Sequence, residues 1–409
     1  MAAAPERPRV VLGVGGGIAA YKACEVLRRL AESGHDVRVV PTAAALNFVG
    51  AATFEALSGN PVQTGVFADV PEVPHVRLGQ TADLVLVVPA TADLLAKAAH
   101  GLADDLLTTT LLTARCPVAL FPSMHTEMWE HAATRDNVAL LRARGTVVTE
   151  PASGRLTGAD SGKGRLADPE EIVDLARLLL ARGDALPRDL VGKRVVISAG
   201  GTRELLDPVR YLGNRSSGKQ GYALARVAAQ RGAEVTMVAA HTVALPDPAG
   251  VAIVHAGSAR QLADAVRTAS TDADVVVMAA AVADFRPLET VDHKIKKSGV
   301  EPEPLRLTTN PDVLAGLVAD RGPGQVIVGF AAETGDAHGD VLHHARAKLK
   351  RKGCDLLVVN AVGEGRAFEV EDNAGWLLGS DGTERRIPLG SKSQLAAALW
   401  DAIATFDGR

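Results

Sequence analysis

The chain has 409 residues, of which 47% are hydrophobic and 22% are charged, so it is long enough for two domains that each bury a core. With 44 Lys+Arg against 48 Asp+Glu, its net charge of −4 excludes the basic surplus of a nucleic-acid-binding protein. Apolar runs stay far below the about 20 residues of a membrane span, and residues 1–9 lack the apolar region of a signal peptide. We therefore expect a cytoplasmic protein without nucleic-acid or membrane partners.

Three cysteines, Cys24, Cys116 and Cys354, are odd in number and form no CxxC pair. This pattern excludes a disulfide scaffold or a zinc ribbon and favours a reducing compartment. We expect all three thiols to be small buried side chains.

Short apolar runs rich in β-branched residues alternate with helical stretches from residue 9 onward. Residues 9–14 (RVVLGV) predict a strand, and residues 18–33 predict a helix. Further strands are predicted at 36–40, 84–88 and 118–121. Runs that are hydrophobic throughout are typical of strands covered by helices on both faces. Right-handed crossovers between them predict a doubly wound parallel sheet.

The pattern restarts after residues 181–193 (ARGDALPRDLVGK), which have the composition of a linker. Residues 194–198 (RVVIS) repeat the opening strand and precede Gly200-Gly201. Later strands are predicted at 234–238, 274–278, 326–330 and 356–359, and a β-hairpin at 375–388. The sequence therefore predicts two sequential doubly wound, Rossmann-like α/β domains, 1–185 and 186–409, the second with a β-hairpin addition.

The first glycine loop, Gly15-Gly16-Gly17, lies between a predicted strand and a predicted helix, where backbone N–H groups can approach a phosphate. It lacks the last glycine of GxGxxG because Ile18 stands there, and the second strand ends at Thr42 without an acidic residue for a ribose. A phosphomonoester such as the FMN tail therefore fits better than a dinucleotide, with Thr42 supplying a hydroxyl. A purely structural tight turn is the alternative.

Three further features are expected at the carboxyl edge of this sheet, where doubly wound folds bind ligands. They are residues 89–93 (PATAD), residues 122–129 (PSMHTEMW) and His75, which we place in a loop before a helix. Imidazole groups suit proton transfer, although a lone loop histidine is more often only solvated.

Together with residues 18–22 (IAAYK), 101–107 (GLADDLL) and 162–165 (GKGR), these features resemble the flavin-dependent phosphopantothenoylcysteine decarboxylase family. The resemblance implies that FMN oxidises the cysteinyl thiol of the substrate, that CO2 leaves, and that the reduced flavin returns a hydride. It implies that His75 is the active-site base and that His125 occupies a catalytic position. The implied FMN contacts are Gly16, Gly17, Thr42, Ala90 and Thr91.

Two positions depart from that family's pattern. Its PxMN motif has Asn where this chain has His125, which can still donate to a carboxylate but whose charge depends on pH. Its flap cysteine is missing here, and Gly158 falls at about that position. Either Asp160, Ser161 or water protonates the product, or this step is slow or absent.

The second glycine loop, at residues 198–204, is followed by residues 207–219 (DPVRYLGNRSSGK). Gly213 and Gly218 have the separation of a P-loop, but Gln220 follows Lys219 where a P-loop has Ser or Thr, which argues against that motif. Backbone amides with Arg210, Asn214 and Lys219 suit a phosphorylated, carboxylate-bearing substrate. Downstream, residues 294–297 (KIKK) either face solvent or neutralise a triphosphate, and residues 310–312 (NPD) alone would be a helix N-cap.

These segments resemble the phosphopantothenate–cysteine ligase family, and residues 207–219 are the most specific match. The resemblance implies that the phosphopantothenate carboxylate attacks the α-phosphorus of CTP and that cysteine then displaces CMP from the acyl-cytidylate. It implies that Asn214 stabilises the oxyanion, that Lys294 is a catalytic triphosphate contact, and that Mg2+ bridges the phosphates through unidentified ligands. The implied CTP contacts are Met278, Ala279, Ala280, Asp284, Lys294, Pro311, Asp312, Val313, Leu314, Phe330, Lys348 and Lys352.

The two resemblances cover nearly the whole chain and predict a bifunctional enzyme of coenzyme A biosynthesis. It would ligate cysteine to 4′-phosphopantothenate with CTP and decarboxylate the product to 4′-phosphopantetheine with FMN. The families also imply a homo-oligomer, up to a dodecamer, of trimeric flavoprotein and dimeric ligase units. Two alternatives stay open. One is an active ligase whose flavoprotein half serves binding or assembly, and the other is a flavin-dependent decarboxylase of a peptide's C-terminal cysteine.

Overall fold

The computed structural model describes residues 7–63, 73–156, 160–296, 304–333, 340–361 and 372–406. Its residues divide into two units, Met1–Arg188 (unit 1) and Asp189–Arg409 (unit 2). Each unit is a parallel sheet with helices packed on it, and the predicted α/β fold class is confirmed.

Five parallel strands form the central sheet of unit 1: β1 (Arg9–Val14), β2 (Asp36–Pro41), β3 (Leu84–Ala90), β4 (Val118–Pro122) and β5 (Val147–Val148). Their order is β2-β1-β3-β4-β5. All seven residues of β3 are buried, as expected for a central strand covered on both faces. The strand order switches between β1 and β3, which is where doubly wound sheets bind ligands.

The remaining elements of unit 1 cover this sheet or extend from it. An antiparallel ribbon consists of β6 (Ala152–Arg155) and β7 (Ser161–Arg165). The helices are α1 (Ala20–Glu32), α2 (Ala51–Ser58), α3 (Pro74–Thr81), α4 (Ala92–His100), α5 (Leu106–Thr113), α6 (Thr126–Glu130), α7 (Ala132–Ala143) and α8 (Pro169–Arg182).

Unit 2 is built on a second, larger sheet. Its strands are β8 (Arg194–Ala199), β9 (Arg203–Leu205), β10 (Tyr211–Gly213), β11 (Glu234–Ala239), β12 (Val251–His255), β13 (Val275–Met278), β14 (Phe285–Pro287), β15 (Leu307–Thr309), β16 (Val326–Glu333), β17 (Leu356–Ala361), β18 (Asp372–Gly379) and β19 (Glu384–Ser391). The sheet order is β12-β11-β8-β13-β16-β17-β18-β19. The first six strands are parallel, and the predicted hairpin, β18–β19, adds antiparallel to β17.

Helices pack on both faces of the unit 2 sheet. They are α9 (Lys219–Gln230), α10 (Ala259–Ser270), α11 (Val313–Ala319), α12 (Val341–Lys352) and α13 (Lys392–Thr405). On one face, Leu262 and Leu317 join a buried cluster with Val276 and Leu357. On the other, α9 and α13 pack together, and the Trp400 indole donates to the backbone carbonyl of Leu224 (3.1 Å). Two short ribbons, β9–β10 and β14–β15, lie outside the main sheet.

Candidate active sites

A cavity of about 1040 Å³ opens at the carboxyl edge of the unit 1 sheet, at the switch point between β1 and β3. Its volume is at the upper end of the about 300–1,000 Å³ typical of ligand pockets. The loops after β1, β2, β3 and β4 line it, together with α1, α4 and the ribbon β6–β7. Five predicted residues are among the lining residues: Gly16, Gly17, Thr42, Thr91 and His125.

The glycine loop after β1 forms a cradle that only glycine fits. The Gly15 N–H donates to the Pro89 carbonyl (3.1 Å), and a Cβ on Gly15 would overlap that oxygen. A Cβ on Gly16 would overlap Ala44. The loop leads into α1, which begins at Ala20 without a capping side chain. An uncapped helix N-terminus behind a glycine loop binds anions, so these residues fit the phosphate of FMN.

Two hydroxyl groups stand beside this cradle. Thr42 Oγ1 accepts from the Ala45 N–H (3.2 Å), and Thr91 Oγ1 accepts from the Leu94 N–H (3.3 Å) at the start of α4. In both threonines the hydroxyl oxygen accepts a hydrogen bond from a backbone N–H, so the O–H proton is available to a ligand.

Four cationic side chains that the motifs did not assign also line the cavity: Lys22, Lys97, Arg155 and Arg165. Lys97 Nζ lies 3.0 Å from an Asp104 carboxylate oxygen and so carries its own counter-charge. Burial and the nearby Arg165 guanidinium lower the pKa of Lys22. Lys22 stands in the first turn of α1, behind the glycine loop, and that position is the signal that could have identified it.

The ribbon β6–β7 lies directly on the segment that carries His125. The Met124 N–H donates to the Gly164 carbonyl (3.0 Å), and a Cβ on Gly164 would overlap the Met124 carbonyl. A Cβ on Gly162 would overlap the Thr126 hydroxyl. The two glycines therefore let the ribbon approach closely enough for its arginines to line the same cavity as His125.

His75 and Ala90 are not among the described residues that line the cavity. Ala90 is fully buried at the end of β3. His75 lies in the first turn of α3, not in a loop before it, so that prediction is wrong; Pro74 suits the first helical position and starts the helix earlier. The His75 backbone carbonyl accepts from the Thr113 hydroxyl (2.8 Å), while its ring Nδ1 is buried without a hydrogen-bond partner.

Asp160 and Ser161 are two of the groups considered above for protonating the decarboxylated product. Asp160 and Ser161 are exposed and do not line the described part of the cavity. Gly158 lies outside the described residues.

In unit 2, three loops contact the segment 281–284 after β13, and two of them carry predicted site residues. The Ala281 N–H donates to the Gly200 carbonyl (2.8 Å) of the second glycine loop. The Asn214 amide donates to the carbonyl of Val282 (3.1 Å), and the Asn310 amide to the next carbonyl (2.8 Å). These bonds place Asn214 and the NPD segment at the carboxyl edge, next to the switch point between β8 and β13.

Several of the implied CTP contacts lie close together in unit 2. Asp312 caps α11 by accepting from the Ala315 N–H (3.1 Å), and its other carboxylate oxygen binds the Lys352 ammonium. Burial raises the pKa of Asp312, but the hydrogen bond from Lys352 and that from the backbone outweigh it and lower the pKa. Leu314 packs against Gly329, which precedes Phe330 in β16.

The other implied CTP contacts lie on neighbouring elements. Met278 is buried at the end of β13, and the Ala280 N–H donates to the Ser198 hydroxyl (3.1 Å). Lys348 lies one turn before Lys352 in α12, whereas Lys294 is exposed in the loop after β14. Further members of the set are Ala279, Asp284, Pro311 and Val313.

The Arg210 guanidinium binds the Asp207 carboxylate instead of pointing into a ligand site. Its Nε and Nη2 lie 3.0 and 2.6 Å from the Asp207 carboxylate, and Nη2 also donates to the Ile295 carbonyl (2.9 Å). The motif DPVR contains both partners three residues apart, but spacing does not show whether an arginine binds its neighbour or a ligand. Lys219, the third predicted substrate residue, begins α9.

Comparisons with known proteins find matches to both units. One family model, Flavoprotein, matches residues 3–180, and another, the DNA/pantothenate metabolism flavoprotein C-terminal domain, matches residues 190–406. The coenzyme A biosynthesis bifunctional protein CoaBC of Mycobacterium tuberculosis strain H37Rv is 68% identical over 403 residues, 97% of this chain and 96% of that protein. The chain belongs to the CoaBC family. The family predicted from the motifs is thereby confirmed.

More distant CoaBC proteins match over the same length. CoaBC of Vibrio vulnificus strain CMCP6 is 42% identical over 404 residues, 98% of each chain. A crystal structure of the C-terminal domain of a CoaBC protein is 35% identical and covers 53% of this chain and 97% of that domain, with a TM-score of 0.45.

Two features are absent from the described part of this CoaBC chain. No group of three or more His, Cys, Asp or Glu side chains there has the arrangement of a metal site. No helix there is long and apolar enough to cross a membrane.

Proposed function

We propose that the chain joins cysteine to 4′-phosphopantothenate with CTP in unit 2 and decarboxylates the product to 4′-phosphopantetheine with FMN in unit 1. The observation that carries the proposal is the pair of glycine loops, each at the switch point of its own sheet. Membership of the CoaBC family supports the same pairing of activities.

In unit 1, Gly16, Gly17 and the uncapped start of α1 would hold the flavin phosphate, with Thr42 and Thr91 donating hydroxyl protons. Bound FMN would supply the thiol oxidation that lets the substrate carboxylate leave as CO2. The His125 imidazole would donate to that carboxylate, and the positive charges of Lys22 and Arg165 would attract the anionic substrate.

His75 stays the proposed base. Because it does not line the described cavity of its own chain, we propose that a second copy presents it in a homo-oligomer.

In unit 2, the Lys294 ammonium would neutralise charge on the CTP triphosphate, which would arrive with Mg2+ bound to its own phosphates. The substrate carboxylate would attack the α-phosphorus and release pyrophosphate. The Asn214 amide, whose N–H already donates to Val282, would direct its remaining N–H to the oxyanion formed when the cysteine amine attacks the acyl-cytidylate.

The test supplies phosphopantothenate, cysteine, CTP and Mg2+ to the flavin-loaded protein and identifies the products by mass. Both activities give 4′-phosphopantetheine, CO2, CMP and pyrophosphate. Phosphopantothenoylcysteine without CO2 would favour an active ligase with an altered flavoprotein half, the reading that His125 and the missing flap cysteine keep open. Pyrophosphate release that does not depend on CTP, or no release at all, would refute the ligase.

Asn214→Asp separates the two steps of the ligase. We expect pyrophosphate release to persist while amide formation falls by about 100-fold, because a carboxylate cannot donate to an oxyanion. Mass analysis should then show accumulated acyl-cytidylate. Equal loss of both steps would contradict the role of Asn214.

A further inference from the structure

Asp207 links two loops of unit 2 by hydrogen bonds. Its side chain is fully buried. One carboxylate oxygen accepts from the N–H groups of Val209 and Arg210, both at 2.8 Å. The other accepts from the Arg210 guanidinium and from the Ile295 N–H (3.1 Å). Arg210 completes the set by donating to the Ile295 carbonyl (2.9 Å).

On one side, these bonds shape the turn between β9 and β10. The Leu206 N–H donates to the Arg210 carbonyl (2.9 Å), which closes the turn that Asp207 fills. β10 then pairs with β9 as far as Gly213, which lies opposite Arg203. Asn214 is the next residue, so the turn sets where the Asn214 amide stands.

On the other side, the same bonds hold the loop that carries Lys294. Ile295 is bound through its N–H to Asp207 and through its carbonyl to Arg210. The Val291 N–H donates to the Leu206 carbonyl (3.3 Å). Lys294 thus lies between two anchored residues, with its own side chain exposed.

The negative charge of Asp207 strengthens the hydrogen bonds that connect the two loops. The Arg210 guanidinium and three backbone N–H groups lower the pKa of the carboxyl well below its usual range. Both oxygens therefore act only as acceptors, and each has its donors. A buried carboxylate is unfavourable unless it is fully paired, so removing its charge disturbs every bond that it makes.

We propose that Asp207 is a positioning residue that fixes the loop of Asn214 and the loop of Lys294 relative to each other. The CTP triphosphate at Lys294 and the acyl group at Asn214 would then lie at the correct distance for the reaction. The inference rests on the proposed ligase function. Asp207 itself contacts neither substrate, because its oxygens are occupied by the two loops.

Asp207→Asn keeps the shape of the side chain and removes its charge. We expect the KM for CTP to rise at least about tenfold, and amide formation per cytidylate to fall by a similar factor, since charge-assisted hydrogen bonds are lost. The matched control is Asp320→Asn, whose exposed carboxylate lies 3.7 Å from Arg267 on the surface. We expect that control to match the wild type in both quantities.

Trypsin gives a readout without substrates. Cleavage after Lys294 and Lys296 should be faster in Asp207→Asn than in the control, because the loop loses its anchor at Ile295. If Asp207→Asn lowers only the thermal midpoint and kcat, with KM and cleavage unchanged, the role is merely structural and the proposal is overturned.

A second variant, Arg210→Met, tests the proposal if Asp207→Asn does not fold. Arg210→Met removes a half-exposed side chain and breaks the guanidinium bonds to Asp207 and Ile295. It should show the same faster cleavage after Lys294, and unchanged cleavage would refute the link. If the wild type shows no CTP-dependent pyrophosphate release, the proposed function fails, while the cleavage result still decides whether Asp207 holds the loop.

Discussion

A buried guanidinium connects the beginning and the end of unit 2. The Arg231 side chain is 1% exposed and binds the Asp189 carboxylate through Nε (2.8 Å) and that of Asp401 through Nη1 (2.7 Å). Its carbonyl accepts from the Leu190 N–H (3.2 Å). The cation is tolerated in the interior because two carboxylates neutralise it.

Arg231→Met is therefore expected to lower the free energy of unfolding by about 3 kcal/mol, since it removes the charge-assisted hydrogen bonds that Arg231 donates to two partly buried carboxylates. Arg267→Met is the matched control. Its side chain is 62% exposed and its ion pairs are 3.7 and 3.9 Å long, so we expect a change below about 1 kcal/mol. Urea denaturation monitored by circular dichroism measures both, and equal losses would contradict the argument.

Individual side chains were the hardest feature to predict from the sequence. The glycine cradle could be predicted because a strand and a helix flank it. The partner of Arg210 could not, since an arginine and an aspartate three residues apart can pair or face a ligand equally well. His75 shows the same limit, because its chemistry can be read from the sequence and its distance from the cavity cannot.

At the element scale, the ribbon β6–β7 is tied to unit 1 by a partly buried carboxylate. Glu150 lies 2.6 Å from Lys163 Nζ of the ribbon and 2.8 Å from Arg142 Nη2 of α7. Burial raises the pKa of Glu150, but the charges and hydrogen bonds of Arg142 and Lys163 outweigh it and bring the pKa below 4.5.

Glu150→Gln should therefore lower the free energy of unfolding at pH 7 by roughly 1–2 kcal/mol. Because the pKa of Glu150 is lower in the folded than in the unfolded state, this contribution is present above the unfolded value, near 4.5, and is lost as the pH falls through the folded one. Urea denaturation should show a smaller gap in the free energy of unfolding between wild type and variant at pH 4 than at pH 7. A gap that stays constant would contradict the assignment, and Glu130→Gln, at an exposed position, is the control.

The long elements could be predicted and the short ones could not. The strand predicted at 84–88 is found at Leu84–Ala90, since a fully hydrophobic run has few other places in an α/β fold. α1 begins at Ala20, two residues later than predicted, because Ile18 and Ala19 complete the turn of the glycine loop. Each strand of the ribbons β9–β10 and β14–β15 has three residues, too few for a periodicity to show.

Several exposed apolar side chains lie on the short ribbons of unit 2 and on the loops beside them. Val209, Tyr211, Phe285, Leu288 and Leu307 are each about half exposed. Clustered apolar exposure of this kind marks a protein–protein contact. It supports the proposed homo-oligomer through a contact made by unit 2.

Mixed assemblies test whether His75 acts across copies. His75→Asn keeps the glycine cradle, whereas Gly16→Val should prevent flavin binding because its side chain overlaps Ala44. We expect each variant alone to release no CO2 from phosphopantothenoylcysteine. Coexpressed, the two should recover roughly a quarter of wild-type activity, the share of contacts that combine an intact cradle with an intact His75.

The control for that experiment is analytical ultracentrifugation of the coexpressed pair, with a different tag on each variant, to show that copies mix. Mixed assemblies without CO2 release would place the base within a single chain or on another residue.

The covalent connection between the two units has a consequence for the cell. One messenger RNA and one round of translation deliver a single copy of each unit, so their ratio is invariant to promoter strength or gene dosage. Any imbalance between the two proposed reactions must then come from their intrinsic turnover numbers. An inhibitor of the slower unit would therefore lower the overall rate of product formation most directly.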